Sequence, residues 1–288
     1  MIKHIMVAGS GVMGRGIAYV AAAGGFRVTL ADVKEEALLS ARNEIDAIFQ
    51  KAVGREIMLK DQAEHAKDKL DYSSSLEEAS KQADLIIEAV PEKREIKQAV
   101  FELFDAHAPA GCLFATNTST MSPTEIGSFT NRPAQVIAMH FFNPVHKMPL
   151  IEIIRGLETS DETAEAIQQV SRQMKKETVV INEFPGFVTS RISALVGNEA
   201  FYMLQEGVGS AEEIDKAIRL GLNYPMGPFE LGDLVGLDTR LNNLTYLHQT
   251  LGEKYRPAPL LVQYVKAGRL GRKSGKGVYT YTNEGKGD

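Results

Sequence analysis

The chain has 288 residues, 44% of them apolar and 24% charged, with a formal net charge of −5 at pH 7. That is apolar material for two ordinary domains or one large one, and the small negative charge offers no field for nucleic acid or an anionic membrane. The single cysteine, Cys112, excludes an internal disulfide and a cysteine-based metal cluster, and a reducing compartment is the simplest reading.

The N-terminal "MIKHIMVAGS" enters a strand at once, so no signal or transit segment is expected. No apolar run approaches the roughly 20 residues that a membrane helix needs, and a soluble, cytoplasmic protein is expected. "HIMVAG" reads as a strand, "VMGRGIAYVAAAGG" as a helix closed by glycines, and "RVTLAD" as the next strand. Residues 34–69 read as one long helix and a shorter one, broken near "AVGRE". Further strands are "DLIIEAV", "CLFATN", "QVIAMHFF", "PLIEIIR" and "ETVVI", with helices near 94–107 and 161–175. Strands alternating with helices predict right-handed crossovers and an α/β, Rossmann-like, doubly wound and mostly parallel sheet.

The texture changes after "INEFPGF". "RISALVGNEAFYMLQEG" reads as a long amphipathic helix, and "SAEEIDKAI" opens with a capping box, Ser210 with Glu213. More helix follows in "PFELGDLVGLDTRLNNLTYLHQT". The expected organisation is a nucleotide-binding domain over 1–184 and a helical domain over 185–288.

"VAGSGVMGRGIA" places Gly9, Gly11 and Gly14 in G-x-G-x-x-G spacing between a strand and a helix. Gly9 permits a tight turn, Gly11 lets the backbone approach a pyrophosphate, and Gly14 packs the helix closely on the strand. The phosphates then meet the N–H groups of a helix N-terminus. Asp32, at the end of the second strand, suits an adenosine ribose and repels a 2′-phosphate, which favours NAD over NADP, with Lys34 softening the preference. The bland alternative is a glycine-rich turn and a solvated aspartate.

His140 and Glu152 sit inside two apolar runs joined through "NP", a turn signal. With a period of two, Leu150, Glu152 and Ile154 share one strand face, where a glutamate is costly unless it is paired. An imidazole on the neighbouring strand is the natural partner. A carboxylate on one ring nitrogen fixes the tautomer and leaves the other to take a proton, which suits alcohol oxidation beside a dinucleotide. The alternative is a structural His–Glu pair. His146, in the loop "PVHKMP", reads as a surface residue.

"GSGVMGRGIA", "EAVPE", "TNTST", "HFFNPVHKMPLIEI", "PGFV", "NYPMGPFELGDLVGLD" and "GRKSGKGVYTY" occur in this order across nearly the whole chain. Together they resemble the L-3-hydroxyacyl-CoA dehydrogenase family, and in length the bacterial 3-hydroxybutyryl-CoA dehydrogenases. The resemblance implies interconversion of a (3S)-3-hydroxyacyl-CoA and a 3-oxoacyl-CoA with NAD(H). It makes His140 the base, Glu152 its orienting partner, and Ser119 a hydrogen-bond partner of the substrate's 3-oxygen. Asn117 and Asn143 would hold the nicotinamide side of the cofactor. Glu88, Lys93 and Lys273 would contact or approach NAD. The helical insertion at 34–69 would cover the CoA arm, with Lys51 and Arg55 as candidate phosphate contacts. For Lys51, Arg55, Lys93 and Lys273, solvated charge is the competing reading.

One position departs from the pattern: the family commonly reads P-G-F-x-x-N-R, and this chain reads "PGFVTSR". Ser190 stands where an asparagine would lie beside the substrate, so a direct contact with the thioester oxygen is in doubt. The resemblance also implies a homodimer built through the helical domain; no metal site is expected. Two other classes stay open: a free-acid β-hydroxyacid dehydrogenase, which would use a catalytic lysine in its helical part, and a non-catalytic dinucleotide-binding protein on the same scaffold.

Overall fold

The structure, a computed structural model, describes residues 2–281. The chain divides into two compact units, Met1–Phe184 and Pro185–Asp288.

The first unit runs β1 (His4–Ala8), α1 (Val12–Ala23), β2 (Arg27–Ala31), α2 (Glu35–Gly54), α3 (Lys60–Lys67), β3 (Leu70–Ser73), α4 (Leu76–Ser80) and β4 (Leu85–Glu88). It continues with α5 (Arg94–His107), β5 (Leu113–Thr116), α6 (Pro123–Gly127), β6 (Val136–Phe141), β7 (Leu150–Arg155), α7 (Asp161–Gln173) and β8 (Glu177–Asn182). The strands form one sheet in the order β3-β2-β1-β4-β5-β6-β7-β8. All neighbours are parallel except β6 and β7.

This order carries the chain outward from β1 through β2 to β3, then back across to β4. The loops after β1 and β4 therefore flank the switch point where open α/β sheets bind their ligands. Helices on both faces bury the sheet, which is why β1, β4 and β6 are buried throughout and mostly apolar rather than alternating. On one face, Ile17 and Val20 of α1 and Ile45 and Phe49 of α2 close over β1 and β2; on the other, Phe101 and Phe104 of α5 pack on Phe114. The insertion is the pair α2 and α3, and Phe49 of α2 packs tilted against Tyr19 of α1 with ring centroids 4.5 Å apart.

The second unit is helical: α8 (Thr189–Gln205), α9 (Ala211–Gly221), α10 (Pro228–Val235), α11 (Leu237–Leu251) and α12 (Pro259–Lys266). The capping box at α9 forms, with Ser210 Oγ accepting from Glu213 N–H and Glu213 Oε2 accepting from Ser210 N–H. The stretch read as continued helix is two helices, because Gly236 adopts φ +106° and breaks the chain between α10 and α11. Phe201, Phe229, Leu244, Leu247, Tyr255 and Leu261 make its core. The tail folds back on α10: the buried carboxylate of Asp233 accepts from Val278 N–H, Tyr279 N–H and the Tyr281 hydroxyl, each at 2.9 Å. Among the described residues, no helix is long and apolar enough to cross a membrane.

Candidate active site

The loop after β1 is set by backbone geometry. Gly9 has φ +100°, and a Cβ there would lie 2.6 Å from the Ala89 carbonyl oxygen. A Cβ on Gly14 would collide with the Gly9 carbonyl. Gly11 is different, since a Cβ there would meet nothing within 4 Å. With φ −64° as well, nothing in the protein's own packing requires glycine there. It also precedes α1 without a capping side chain, and the first turn of α1 holds no acid. The helix therefore presents uncompensated N–H groups and a bare backbone at the switch point, which fits a pyrophosphate.

Asp32 stands beside this loop. Its Oδ2 accepts from Ser10 N–H and Ser10 Oγ–H, both at 2.8 Å, and its Oδ1 accepts from Lys34 N–H at 3.0 Å. Burial pushes its carboxyl up, but the bonds from Ser10 and Lys34 prevail and hold it below the usual aspartate value. Asp32 is thus ionised at neutral pH and braces the glycine loop. The residues present fit a dinucleotide.

Under the neighbouring strand ends lies a polar network. Glu88, which closes β4, is wholly buried. Its carboxylate accepts twice from Lys97 Nζ at 2.7 Å, from Thr116 Oγ1 at 2.6 Å and from Val90 N–H at 2.8 Å. Burial pushes its pKa up, and these donors pull against that. The side chain expected to touch cofactor is turned inward and occupied by Lys97. Lys97 also reaches Glu92 at 3.0 Å, and Glu92 accepts from Thr118 and Thr120. Thr118 in turn accepts from Thr120 N–H and Met121 N–H. The loop carrying Asn117 and Ser119 is thereby tied to α5. Asn117 Oδ1 accepts from Phe141 N–H at 3.0 Å, which fixes the loop to the residue after His140. Ser119 is half-buried, and its hydroxyl makes no hydrogen bond among the described residues. Lys93 is exposed at the start of α5.

His140 and Glu152 are direct partners in the antiparallel β6–β7 ladder. His140 Nδ1 lies 2.8 Å from Glu152 Oε2, and Glu152 is wholly buried. A carboxylate only accepts, so Nδ1 carries the proton of this bond. The arrangement fixes the tautomer and orients the ring, leaving Nε2 as the other ring nitrogen.

The connection between β6 and β7 carries Asn143 and His146, both exposed. His146 also lies edge-on to Tyr19, with centroids 6.1 Å apart. The segment is clamped from below by Lys176, whose buried ammonium donates to the carbonyls of Val145 at 2.5 Å and Met148 at 2.6 Å. Lys51 and Arg55 are exposed at the end of α2.

The second unit holds the other two expected residues. Ser190 is half-buried in the first turn of α8. Lys273, in the tail, pairs with Asp238 of α11 at 2.6 Å.

Within the first unit the structure thus gathers the glycine loop, Asp32, Asn117, Ser119, His140 and Glu152 at the C-terminal ends of β1, β2, β5 and β6 and on β7. Sequence reasoning missed Lys97 and Glu92. A signal was present: Lys97 shares the apolar stripe of α5 with Val100, Phe101 and Phe104, and a lysine at such a position calls for a buried acid.

Residues 4–184 match the model of the 3-hydroxyacyl-CoA dehydrogenase NAD binding domain, and residues 186–281 match that family's C-terminal domain. A probable 3-hydroxybutyryl-CoA dehydrogenase of Bacillus subtilis is 45% identical, the match covering 97% of this chain and 98% of that one. The human mitochondrial hydroxyacyl-coenzyme A dehydrogenase is 35% identical over 98% of this chain and 92% of its own. Among solved structures, (S)-3-hydroxybutyryl-CoA dehydrogenase from Ralstonia eutropha superimposes with a TM-score of 0.95 at 37% identity, covering 98% of this chain and 100% of that one. With both of the family's domains present in order on a dinucleotide fold, the chain belongs to the 3-hydroxyacyl-CoA dehydrogenase family.

Proposed function

We propose that this enzyme interconverts (3S)-3-hydroxybutyryl-CoA and acetoacetyl-CoA with NAD(H), using His140 and Glu152 as one acid–base unit. The observation that carries the reading is the buried 2.8 Å His140–Glu152 pair, set opposite each other in the ladder. NAD, when bound, would supply the hydride acceptor for oxidation, and NADH the hydride donor for reduction. Gly9, Gly11 and the start of α1 would hold its pyrophosphate, and Asp32 its adenosine ribose. Asn117 and Asn143 hold the nicotinamide side, and Lys93 and Lys273 supply cations.

In the oxidising direction His140 takes the proton of the 3-hydroxyl as C3 loses hydride, giving the 3-oxoacyl-CoA. In the reducing direction protonated His140 gives that proton to the 3-oxygen. Glu152 keeps its charge throughout and stabilises the imidazolium. Ser119 hydrogen-bonds the 3-oxygen. Lys51 and Arg55 meet CoA phosphates, and Ser190 contacts the thioester directly or through water. The helical unit serves substrate binding and homodimerisation; a monomer at micromolar concentration in sedimentation would contradict the latter.

The deciding experiment is NADH oxidation with acetoacetyl-CoA, wild type beside His140→Ala, with NADPH in parallel. Loss of a general base lowers turnover by about 10²–10⁴-fold. Rapid wild-type turnover with NADH, crippled in the variant, supports reaction, base and cofactor together. Tight NADH binding with no turnover on acetoacetyl-CoA or longer 3-oxoacyl-CoAs would overturn the reading.

A further inference from the structure

The chemistry proposed above leaves His146 unused. The residue is exposed, yet the turn that carries it is fixed from several directions. Pro144 O accepts from Lys147 N–H at 2.9 Å and from Met148 N–H at 3.0 Å. The Lys176 ammonium holds the carbonyls of Val145 and Met148, on either side of His146 and Lys147. Val145 is buried against α1, where a Cβ on Gly16 would lie 2.8 Å from the Val145 Cβ. The His146 ring stands edge-on to Tyr19 of α1, and Tyr19 in turn packs on Phe49 of α2. A turn held in this way presents its side chains at set positions and pays little ordering entropy when it binds something.

The charges gathered here have one sign. Lys147 beside His146, Lys176 beneath the turn and Lys51 of α2 all act on the imidazole. From α1 the facing titratable group is Tyr19, which burial keeps protonated. Among the described residues no carboxylate forms an ion pair with His146, Lys147 or Lys51. Burial first, and then the three lysines, hold the imidazole below the ordinary histidine value, so it is neutral at pH 7 in the free protein.

Like charges on a rigid frame repel one another, and an anion of more than one charge relieves that repulsion. It also raises the imidazole pKa, so the ring takes up a proton as the anion binds. The cofactor's pyrophosphate is assigned to the glycine loop and the start of α1. The other polyanion of the reaction is the substrate's CoA arm, and Lys51 is already one of its expected contacts.

We propose that His146, with Lys51 and Lys147, forms a phosphate subsite for the CoA arm in which the imidazole binds as its cation, so that preference for CoA thioesters over phosphate-free ones grows as pH falls. The inference rests on the dehydrogenase reading above and deepens it. A group whose pKa rises on binding contributes fully below its free value, and the contribution is lost as pH rises through the pKa of the complex. His146 acts on binding only, and the hydride and proton transfers are unchanged.

The test compares NADH oxidation with acetoacetyl-CoA, acetoacetyl-3′-dephospho-CoA and acetoacetyl-pantetheine between about pH 5.5 and about pH 8, in wild type and His146→Gln. The readout is the ratio of kcat/KM for each phosphorylated thioester to that for the pantetheine thioester. Proton transfer through His140 is common to both and cancels, as does the fraction of a variant that folds. The 3′-phosphate loses charge below its own second pKa of about 6, and the dephospho-CoA arm is free of that effect. The wild-type ratio should rise about threefold toward the acidic end at low salt, the worth of one solvent-screened ion pair, and His146→Gln should remove the rise. A rise shared by both phosphorylated thioesters places the pyrophosphate at His146, and a rise confined to acetoacetyl-CoA places the 3′-phosphate there. A wild-type ratio that pH leaves unmoved in both arms, or a rise that His146→Gln retains, overturns the proposal. Turnover of all three thioesters with a flat ratio defeats this inference alone. No turnover of any of the three defeats the dehydrogenase reading with it.

Discussion

Replacing Glu152 with glutamine tests the acid–base unit more sharply than deleting the histidine. The amide can still accept from His140 Nδ1–H through its oxygen, so the ring keeps a partner while the negative charge is lost. The bond at stake is a 2.8 Å charge-assisted one to a wholly buried carboxylate. Hydrogen bonds to charged groups contribute about 1.5–3 kcal/mol, which translates to a loss of roughly 10- to 150-fold in kcat. The assay is NADH oxidation with saturating acetoacetyl-CoA, alongside the thermal midpoint to confirm that the variant folds. The stronger form adds His140→Ala and the double variant His140→Ala/Glu152→Gln. Glu152 acts through His140, so the double variant should be no slower than His140→Ala by itself. Losses that multiply would refute the reasoning, because Glu152 would then contribute independently of the imidazole.

Gly11→Ala should leave apoprotein stability within about 0.5 kcal/mol, since its Cβ meets nothing, yet raise the NADH KM markedly; Gly14→Ala should fail to give folded protein because its Cβ strikes the Gly9 carbonyl. Equal effects of both on thermal midpoint would count against the pyrophosphate assignment. Lys97→Met strands the buried Glu88 carboxylate and should cost about 3–5 kcal/mol in urea unfolding, with Glu88→Gln in the same chain recovering part of it. Asp32→Ala should raise kcat/KM for NADPH relative to NADH by about tenfold, and an unchanged ratio would remove Asp32 from cofactor selection. Asp32 is held below its ordinary value, so its bonds to Ser10 stabilise the loop above about pH 4 and are lost as pH falls through the lowered pKa. NADH affinity in the wild type should therefore drop on that acidic side, and Asp32→Ala should remove the dependence.

The parts legible in the sequence were those where physical constraint leaves a local mark. Three glycines at fixed spacing need no tertiary information, because turn, close approach and helix packing are decided within one βα unit. His140 and Glu152 were legible because a polar residue in an apolar strand must find a partner, and a period of two says on which face. β3 left no such mark: Leu70–Ser73 is short and partly polar, and it is a strand because β2 offers an open edge to pair with. The same holds for Glu88. As the last residue of β4 it lies where ligands gather, but its direction was decided by Lys97 nine positions on, an interaction visible only once α5 is packed.

The pairing of β6 with β7 has a consequence for how this gene can drift. His140 and Glu152 meet because the ladder aligns them, and side chains alternate faces with every residue. Length changes in the connection, residues 142–149, alter a turn and leave that alignment standing. Loss or gain of one residue inside β7 ahead of Glu152 reverses parity, sending Glu152 to the opposite face and an apolar neighbour toward the imidazole. Insertions and deletions in this hairpin are thus sorted by position into graded ones and all-or-none ones, with the boundary at Leu150.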